Sequence, residues 1–227
     1  MCINRNLQSL YNQILGAEQK YGRQAGSVTL LAVSKTRTTD EIHTAMESGQ
    51  LQFGESYLQE ALRKIQEIGD PRLCWHFIGP IQSNKTRGIA EYFSWVHSVD
   101  RDKIARRLND QRPPSLPPIN ICLELNISGE STKSGIDPEV LPEMADHISS
   151  LPRLKLRGLM TMPAPIEDFQ TQRDTFRRVR KYFEQLQAAG HDLDTLSMGT
   201  TNDMEAAIAE GATIVRIGTA IFGPREN

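Results

Sequence analysis

Cysteine is scarce in this chain: there are three in 227 residues, at positions 2, 74 and 122. An odd number with no Cys-x-x-Cys spacing excludes a disulfide framework and the paired-thiol zinc sites. Cys2, Cys74 and Cys122 are therefore read as reduced, with Cys74 and Cys122 buried in apolar strand-like runs. Also missing is any run near the ~18 apolar residues that a membrane span needs, and the start is amphipathic rather than a secretion signal. Nor does either charge dominate, since 26 Lys and Arg oppose 28 Asp and Glu for a formal net charge of −2. That balance argues against a nucleic-acid binder. The absences together point to a soluble protein of the cytoplasm, with no metal site and neither nucleic acid nor membrane as a partner.

What is present is alternation. Leu7, Leu10, Tyr11, Ile14 and Leu15 recur at helical spacing, so the chain opens with an amphipathic helix ending near Gly22. Strand-like runs follow at 28–34, 51–54, 74–78, 95–99, 119–127, 156–160, 193–198 and 213–217. Helical patterns fill the gaps at 38–48, 56–67, 83–91, 101–109, 138–150, 169–189 and 202–209. Strands separated by helices pair in parallel through right-handed crossovers. An open doubly wound sheet also satisfies this order. The count of strands, and a length close to the ~250 residues typical of a (β/α)8 barrel, favour closure. The expectation is one α/β domain over 1–227, a TIM-type barrel with an extra N-terminal helix. The proline-rich stretch 112–118 is read as the loop before the fifth strand, and the basic run Arg173, Arg177, Arg178, Arg180 and Lys181 as a solvated helix face.

Chemistry collects at strand ends. Lys35 follows the run 28–34 where a buried strand opens into a loop. Barrels keep their chemistry at the C-terminal ends of strands, and a lysine in a partly dry pocket forms Schiff bases with aldehydes. A solvated loop lysine is the ordinary alternative. At the other end of the chain, residues 196–203 carry small hydroxyl residues around Gly199 and lead into a helix expected to begin near Asn202. Residues 215–220 close the eighth strand in a similar way. Barrels commonly hold phosphate with the loops after strands seven and eight, where helix N-termini offer N–H groups. Closure sets the eighth strand beside the first, so Lys35 would face this cradle. A ligand with both an aldehyde and a phosphate fits: pyridoxal phosphate, or a phosphorylated sugar in a Schiff-base aldolase.

Blocks at 31–36, 53–55, 75–85, 124–127, 133–136, 157–162, 197–199 and 215–223 occur in an order that resembles the pyridoxal phosphate homeostasis protein family, related to the N-terminal barrel of alanine racemase. The resemblance runs through nearly the whole chain. It implies that Lys35 carries pyridoxal 5'-phosphate as an internal aldimine, and that Ser197, Gly199, Gly218 and Thr219 contact the phosphate. It also implies that Arg216 lies near the pyridine nitrogen. A cation there disfavours protonation of the ring, making it a poorer electron sink. Two positions depart from the family's pattern. Ser56 replaces the usual asparagine, and Thr200 with Thr201 replaces Met-Ser, which keeps a hydroxyl at Thr201.

Other conspicuous residues take structural readings. His76 is expected to be a hydrogen-bonded barrel histidine, Met160 and Met162 packing residues around the mouth, and Lys85 and Lys133 solvated lysines.

Racemisation needs acid–base groups on both faces of the substrate carbon. In the alanine racemases that the barrel resembles, the second is a tyrosine from an additional β-domain of a partner subunit, and the chain ends at Asn227 with no room for one. The expectation is therefore a monomeric binding protein without turnover. It would hold the cofactor on Lys35, serve vitamin B6 homeostasis and make at most transient contact with apoenzymes. A racemase-like enzyme acting on amino acids is the alternative.

Overall fold

The computed structural model describes residues 2–128 and 134–224. After α1 (Ile3–Lys20) come β1 (Thr29–Val33), α2 (Thr39–Glu47), β2 (Gln52–Glu55), α3 (Leu58–Ile68), β3 (Cys74–Phe77) and α4 (Thr86–Tyr92). The order continues with β4 (Trp95–Val99), α5 (Asp102–Gln111), β5 (Ile119–Glu124), α6 (Leu141–Ser149), β6 (Leu154–Met160) and α7 (Phe169–Ala188). Then follow β7 (Thr195–Ser197), α8 (Met204–Ala209), β8 (Ile214–Ile217) and a single turn, α9 (Thr219–Phe222). The strands close in sequence order, β1 through β8, into one barrel. β8 returns beside β1 in parallel, with Leu31 opposite Arg216 and Ala32 opposite Ile217. This is the (β/α)8 barrel with an added N-terminal helix that the alternation predicts.

Local signals explain where elements begin. Thr38 and Glu41 form a capping box at α2: the Thr38 hydroxyl accepts the Glu41 N–H at 3.2 Å, and the Glu41 carboxylate accepts the Thr38 N–H at 2.8 Å. Such a box is worth about 1 kcal/mol. α1 buries Leu7, Leu10, Ile14 and Ala17 against α2, α8 and α9, each large apolar side chain contributing roughly 1.5–3 kcal/mol gross. Its Glu18 is also buried and accepts the N–H groups of Gly26 and Val28 at 2.9 and 2.8 Å, which fixes the entry to β1.

Four features differ from expectation. The helix after β7 starts at Met204, with Asn202 in the preceding turn, and spans six residues. α9 follows β8 directly and is too short for periodicity to reveal. Cys74 is only half-buried, whereas Cys122 is buried as expected. The basic face of α7 is not simply solvated. Arg173, Arg177 and Arg180 converge on Glu210, at 2.7, 3.0 and 3.2 Å, and that carboxylate is only 1% exposed. A buried carboxylate requires such partners, and the packing of α7 against α8 supplies them. The proline-rich stretch is the loop between α5 and β5, and Arg112 braces it by donating to the Ala90, Phe93 and Pro117 carbonyls.

Candidate functional site

The C-terminal ends of the strands surround a cavity of about 420 Å³. Val33, Ile78 and Met160 supply apolar walls; Lys35, Arg37 and Arg216 supply the cations. Strand parity accounts for Lys35. Successive side chains alternate across a sheet, so Val33 and Lys35 point inward while Ser34 points out toward the helices. The loops after β7 and β8 close the cavity on the other side with Thr200, Thr201, Gly218 and Thr219. Gly218 presses against β1: a Cβ there would lie 3.2 Å from the Val33 carbonyl oxygen. A side chain at that position would crowd the strand end that bears Lys35.

The structure thus brings Lys35, Thr201, Arg216, Gly218 and Thr219 to one wall system. Gly199 lines a neighbouring space of about 510 Å³ that shares Thr200, Asn202 and Arg216. It adopts φ 97°, and a Cβ would stand 2.6 Å from that of Ala207, so only glycine fits the turn into α8. Ser197 is fully buried beneath Arg216. Its hydroxyl accepts from Arg216 Nη1 at 2.8 Å and lies 2.8 Å from His97 Nδ1. The side chain that family resemblance assigns to phosphate is therefore directed into the barrel interior.

Arg216 is locked by more than Ser197. Nη1 also donates to the Ser197 carbonyl at 2.6 Å and Nη2 to the Thr161 carbonyl at 2.8 Å. Burial lowers the guanidinium pKa to about 10, so it stays charged at neutral pH. Below it runs a polar chain: His97 Nε2 lies 2.9 Å from His76 Nδ1, and His76 Nε2 lies 2.7 Å from Gln52 Oε1. Arginine only donates and the Gln52 oxygen only accepts, which sets the direction of every proton between them. Ser197 donates to His97 Nδ1, His97 Nε2–H to His76, and His76 Nε2–H to Gln52. Both imidazoles are then neutral, in keeping with burial, which pushes His76 down to about 3 and His97 well below its ordinary value. His76 is the hydrogen-bonded barrel histidine expected. His97 escaped sequence reading because histidine in an apolar strand carries no periodic signal of its own.

A second cluster lies behind Lys35. Lys64 Nζ, on α3, donates to the Ser34 carbonyl at 2.7 Å, to Glu55 at 2.9 Å and to Glu60 at 2.5 Å. The Ser34 hydroxyl donates to Glu55 at 2.7 Å, and Glu60 accepts the Thr36 N–H at 2.6 Å. Thr36 has φ 65°, a left-handed conformation that costs a β-branched residue on the order of 1–3 kcal/mol. Burial raises the Glu55 carboxyl pKa, against the pull of Lys64 and Ser34. On β5, burial takes the Glu124 carboxyl up to about 7, with Asp100 adding and Arg216 opposing.

Met160 is buried in the cavity wall and Met162 is 55% exposed at its rim. Lys85 ends a single 3-10 turn, Ser83–Lys85, away from the cavity, and Lys133 lies outside the described residues. Among the described residues no His, Cys, Asp and Glu cluster could hold a metal ion, and no helix is long and apolar enough to cross a membrane.

Comparison with known proteins agrees with this geometry. The family model of the alanine racemase N-terminal domain matches residues 6–226. A pyridoxal phosphate homeostasis protein of Pseudomonas aeruginosa is 54% identical over 224 residues, covering 99% of this chain and 96% of that protein. The Escherichia coli protein of the same name is 50% identical over 227 residues, covering 99% and 97%. Among solved structures, PipY of Synechococcus elongatus with pyridoxal phosphate bound superposes with a TM-score of 0.86 at 35% identity, over 97% of this chain and all of that one. The chain belongs to the alanine racemase N-terminal domain family and, within it, to the pyridoxal phosphate homeostasis proteins.

Proposed function

We propose that this protein binds pyridoxal 5'-phosphate at the barrel mouth, holds it as a Schiff base on Lys35 and releases it again. The observation that carries this reading is the placement of Lys35 and Arg216 on one cavity, with the β7 and β8 loops opposite β1. The cavity is of the size that takes small ligands. Its cations, Lys35, Arg37 and Arg216, match an anionic aldehyde, and the close approach at Gly218 leaves backbone rather than side chain facing the phosphate position. Thr201, Gly218 and Thr219 would hold the phosphate, assisted by the first N–H groups of α9, which have no acceptor within that helix. The Lys35 amine adds to the aldehyde carbon with loss of one water, and hydrolysis reverses the step. When bound, the cofactor supplies an electron-accepting ring.

Arg216 would face the ring nitrogen as a fixed cation, disfavouring its protonation. Ser197 acts behind it, by orienting the guanidinium, and Gly199 by shaping the turn into α8. The role is homeostasis of the cofactor in the cytoplasm, by a monomer whose whole chain, 1–227, acts as one domain and hands the cofactor to apoenzymes without turnover of its own.

The test is the absorbance of protein mixed with pyridoxal phosphate, before and after borohydride, with the labelled residue mapped. A visible Schiff-base band trapped on Lys35 and lost in Lys35→Ala is the expected result. Equal capture by Lys35→Ala would overturn the assignment. Exchange of amino-acid Cα–H in deuterated water, abolished by Lys35→Ala, would instead establish an enzyme acting on amino acids.

A further inference from the structure

The cluster of Lys64, Glu55 and Glu60 touches no wall of the cavity, yet every bond it makes toward β1 lands on the two residues that flank Lys35. On one side Lys64 takes the Ser34 carbonyl while Glu55 takes the Ser34 hydroxyl. On the other, Glu60 takes the N–H of Thr36, the residue held in the left-handed region. Lys64 is itself almost wholly buried and joins the two carboxylates. A buried ammonium between two carboxylates is an expensive way to build a helix–strand contact, since apolar packing there would serve stability as well or better.

We infer that Lys64, Glu55 and Glu60 are positioning residues, which clamp the peptide units on either side of Lys35 so that its amine is presented to the cavity in the geometry that Schiff-base formation requires. The inference rests on the reading of Lys35 as the cofactor-bearing lysine. The clamp works from the helix layer, through backbone. It sets where the Lys35 side chain starts without occupying any of the space that the ligand needs. Thr36 turns sharply directly after Lys35, and the Glu60 acceptor supports that turn. Without it the loop relaxes, the Lys35 side chain swings out of line, and the aldehyde meets the amine less often in a productive orientation.

The deciding experiment pairs two ligands with a rescue. Pyridoxal phosphate reports ring, phosphate and amine together; 4'-deoxypyridoxine 5'-phosphate, which lacks the aldehyde, reports the ring and phosphate contacts alone. Glu60→Ala removes the Thr36 acceptor at a partly exposed site, and Glu60→Gln restores an acceptor oxygen without the charge. The expected result is a loss of roughly tenfold or more in the rate of pyridoxal phosphate capture for Glu60→Ala, read from the Schiff-base band, with affinity for the deoxy analogue unchanged. Glu60→Gln should recover most of the rate. Lys64→Met should show the same selective loss, and if it does not fold the Glu60 pair decides the matter. Wild-type capture by Glu60→Ala, or equal losses for both ligands, would overturn the clamp while leaving the Lys35 reading intact. Capture by Lys35→Ala as efficient as wild type would remove both.

Discussion

Lys35 and Arg216 face one cavity from neighbouring strands, and the protein holds them by opposite means. Lys35 is gripped through its backbone, from the helix layer outside the barrel, by ionic side chains. Arg216 is gripped through its side chain, from the interior, by two carbonyls and a serine backed by neutral histidines. The difference follows from what each group has to do. Under the proposed function, a nucleophilic amine must move toward its aldehyde, and the bonds to the Ser34 carbonyl and the Thr36 N–H hold the peptides on either side of it. Under the same reading, a cation that biases a ring must not move, and three hydrogen bonds hold the Arg216 guanidinium. The histidines also keep the interior chain uncharged, leaving Arg216 as the cation that a ligand at the mouth would meet from below.

The comparison breaks most sharply at Arg216. Replacing it with methionine strips donors from two buried carbonyls and the Ser197 hydroxyl, an expected loss of about 4 kcal/mol in urea unfolding. Lys64→Met leaves the buried Glu55 carboxylate without its counter-ion and should cost about 3 kcal/mol by the same measurement. If either variant kept wild-type stability, the contrast between the two grips would lose its physical basis.

A pH series sharpens the interior half of the comparison. Both histidines titrate lower in the folded protein than in the unfolded chain, where histidine protonates near 6.5. Below that pH the unfolded state binds more protons, so their contribution is fully present above about 6.5 and is lost as the pH falls toward the folded values. Each accounts for about 1.4 kcal/mol per pH unit in that window. His97→Gln should reduce the slope of stability against pH between 6.5 and 5 by one such amount, and an unchanged slope would mean that His97 carries a proton in the fold. Glu124, raised to about 7, acts in the opposite sense, because there the folded state binds the extra proton. For that reason the difference between variants is the quantity to measure.

The smallest expected effect is at Lys35 itself. Because the substitution leaves the bonds to the Ser34 and Thr36 peptides in place, Lys35→Ala should change stability by about 1 kcal/mol or less while abolishing cofactor capture. A large loss would show that the side chain, rather than its flanking peptides, holds the loop in place.

Much of this was legible in the residues. The β1 run ends at Lys35 with a parity that points the amine inward, and the capping pair Thr38 and Glu41 marks the next helix three residues later. The hydroxyl- and glycine-rich loops around Gly199 and Gly218 stand at the strand ends where the order places them. Ser197 was not legible in the same way. A serine at a strand end reads as a loop hydroxyl, and only the arrival of His97, a hundred positions earlier in the chain, turns it into the link beneath Arg216. The arginines of α7 misled for a related reason: helical spacing shows that they share a face, not that a buried Glu210 waits opposite.

The sequence by itself determined the alternation of elements, the barrel it closes into and the residues that crown its strands, because hydrophobic period and turn chemistry are local properties. Tertiary structure alone decided which residues support them from behind, and that Lys64 belongs to the Lys35 loop. Those outcomes depend on partners separated along the chain and joined only when the strands and helices pack, where burial makes an unpaired charge too costly to leave unmet.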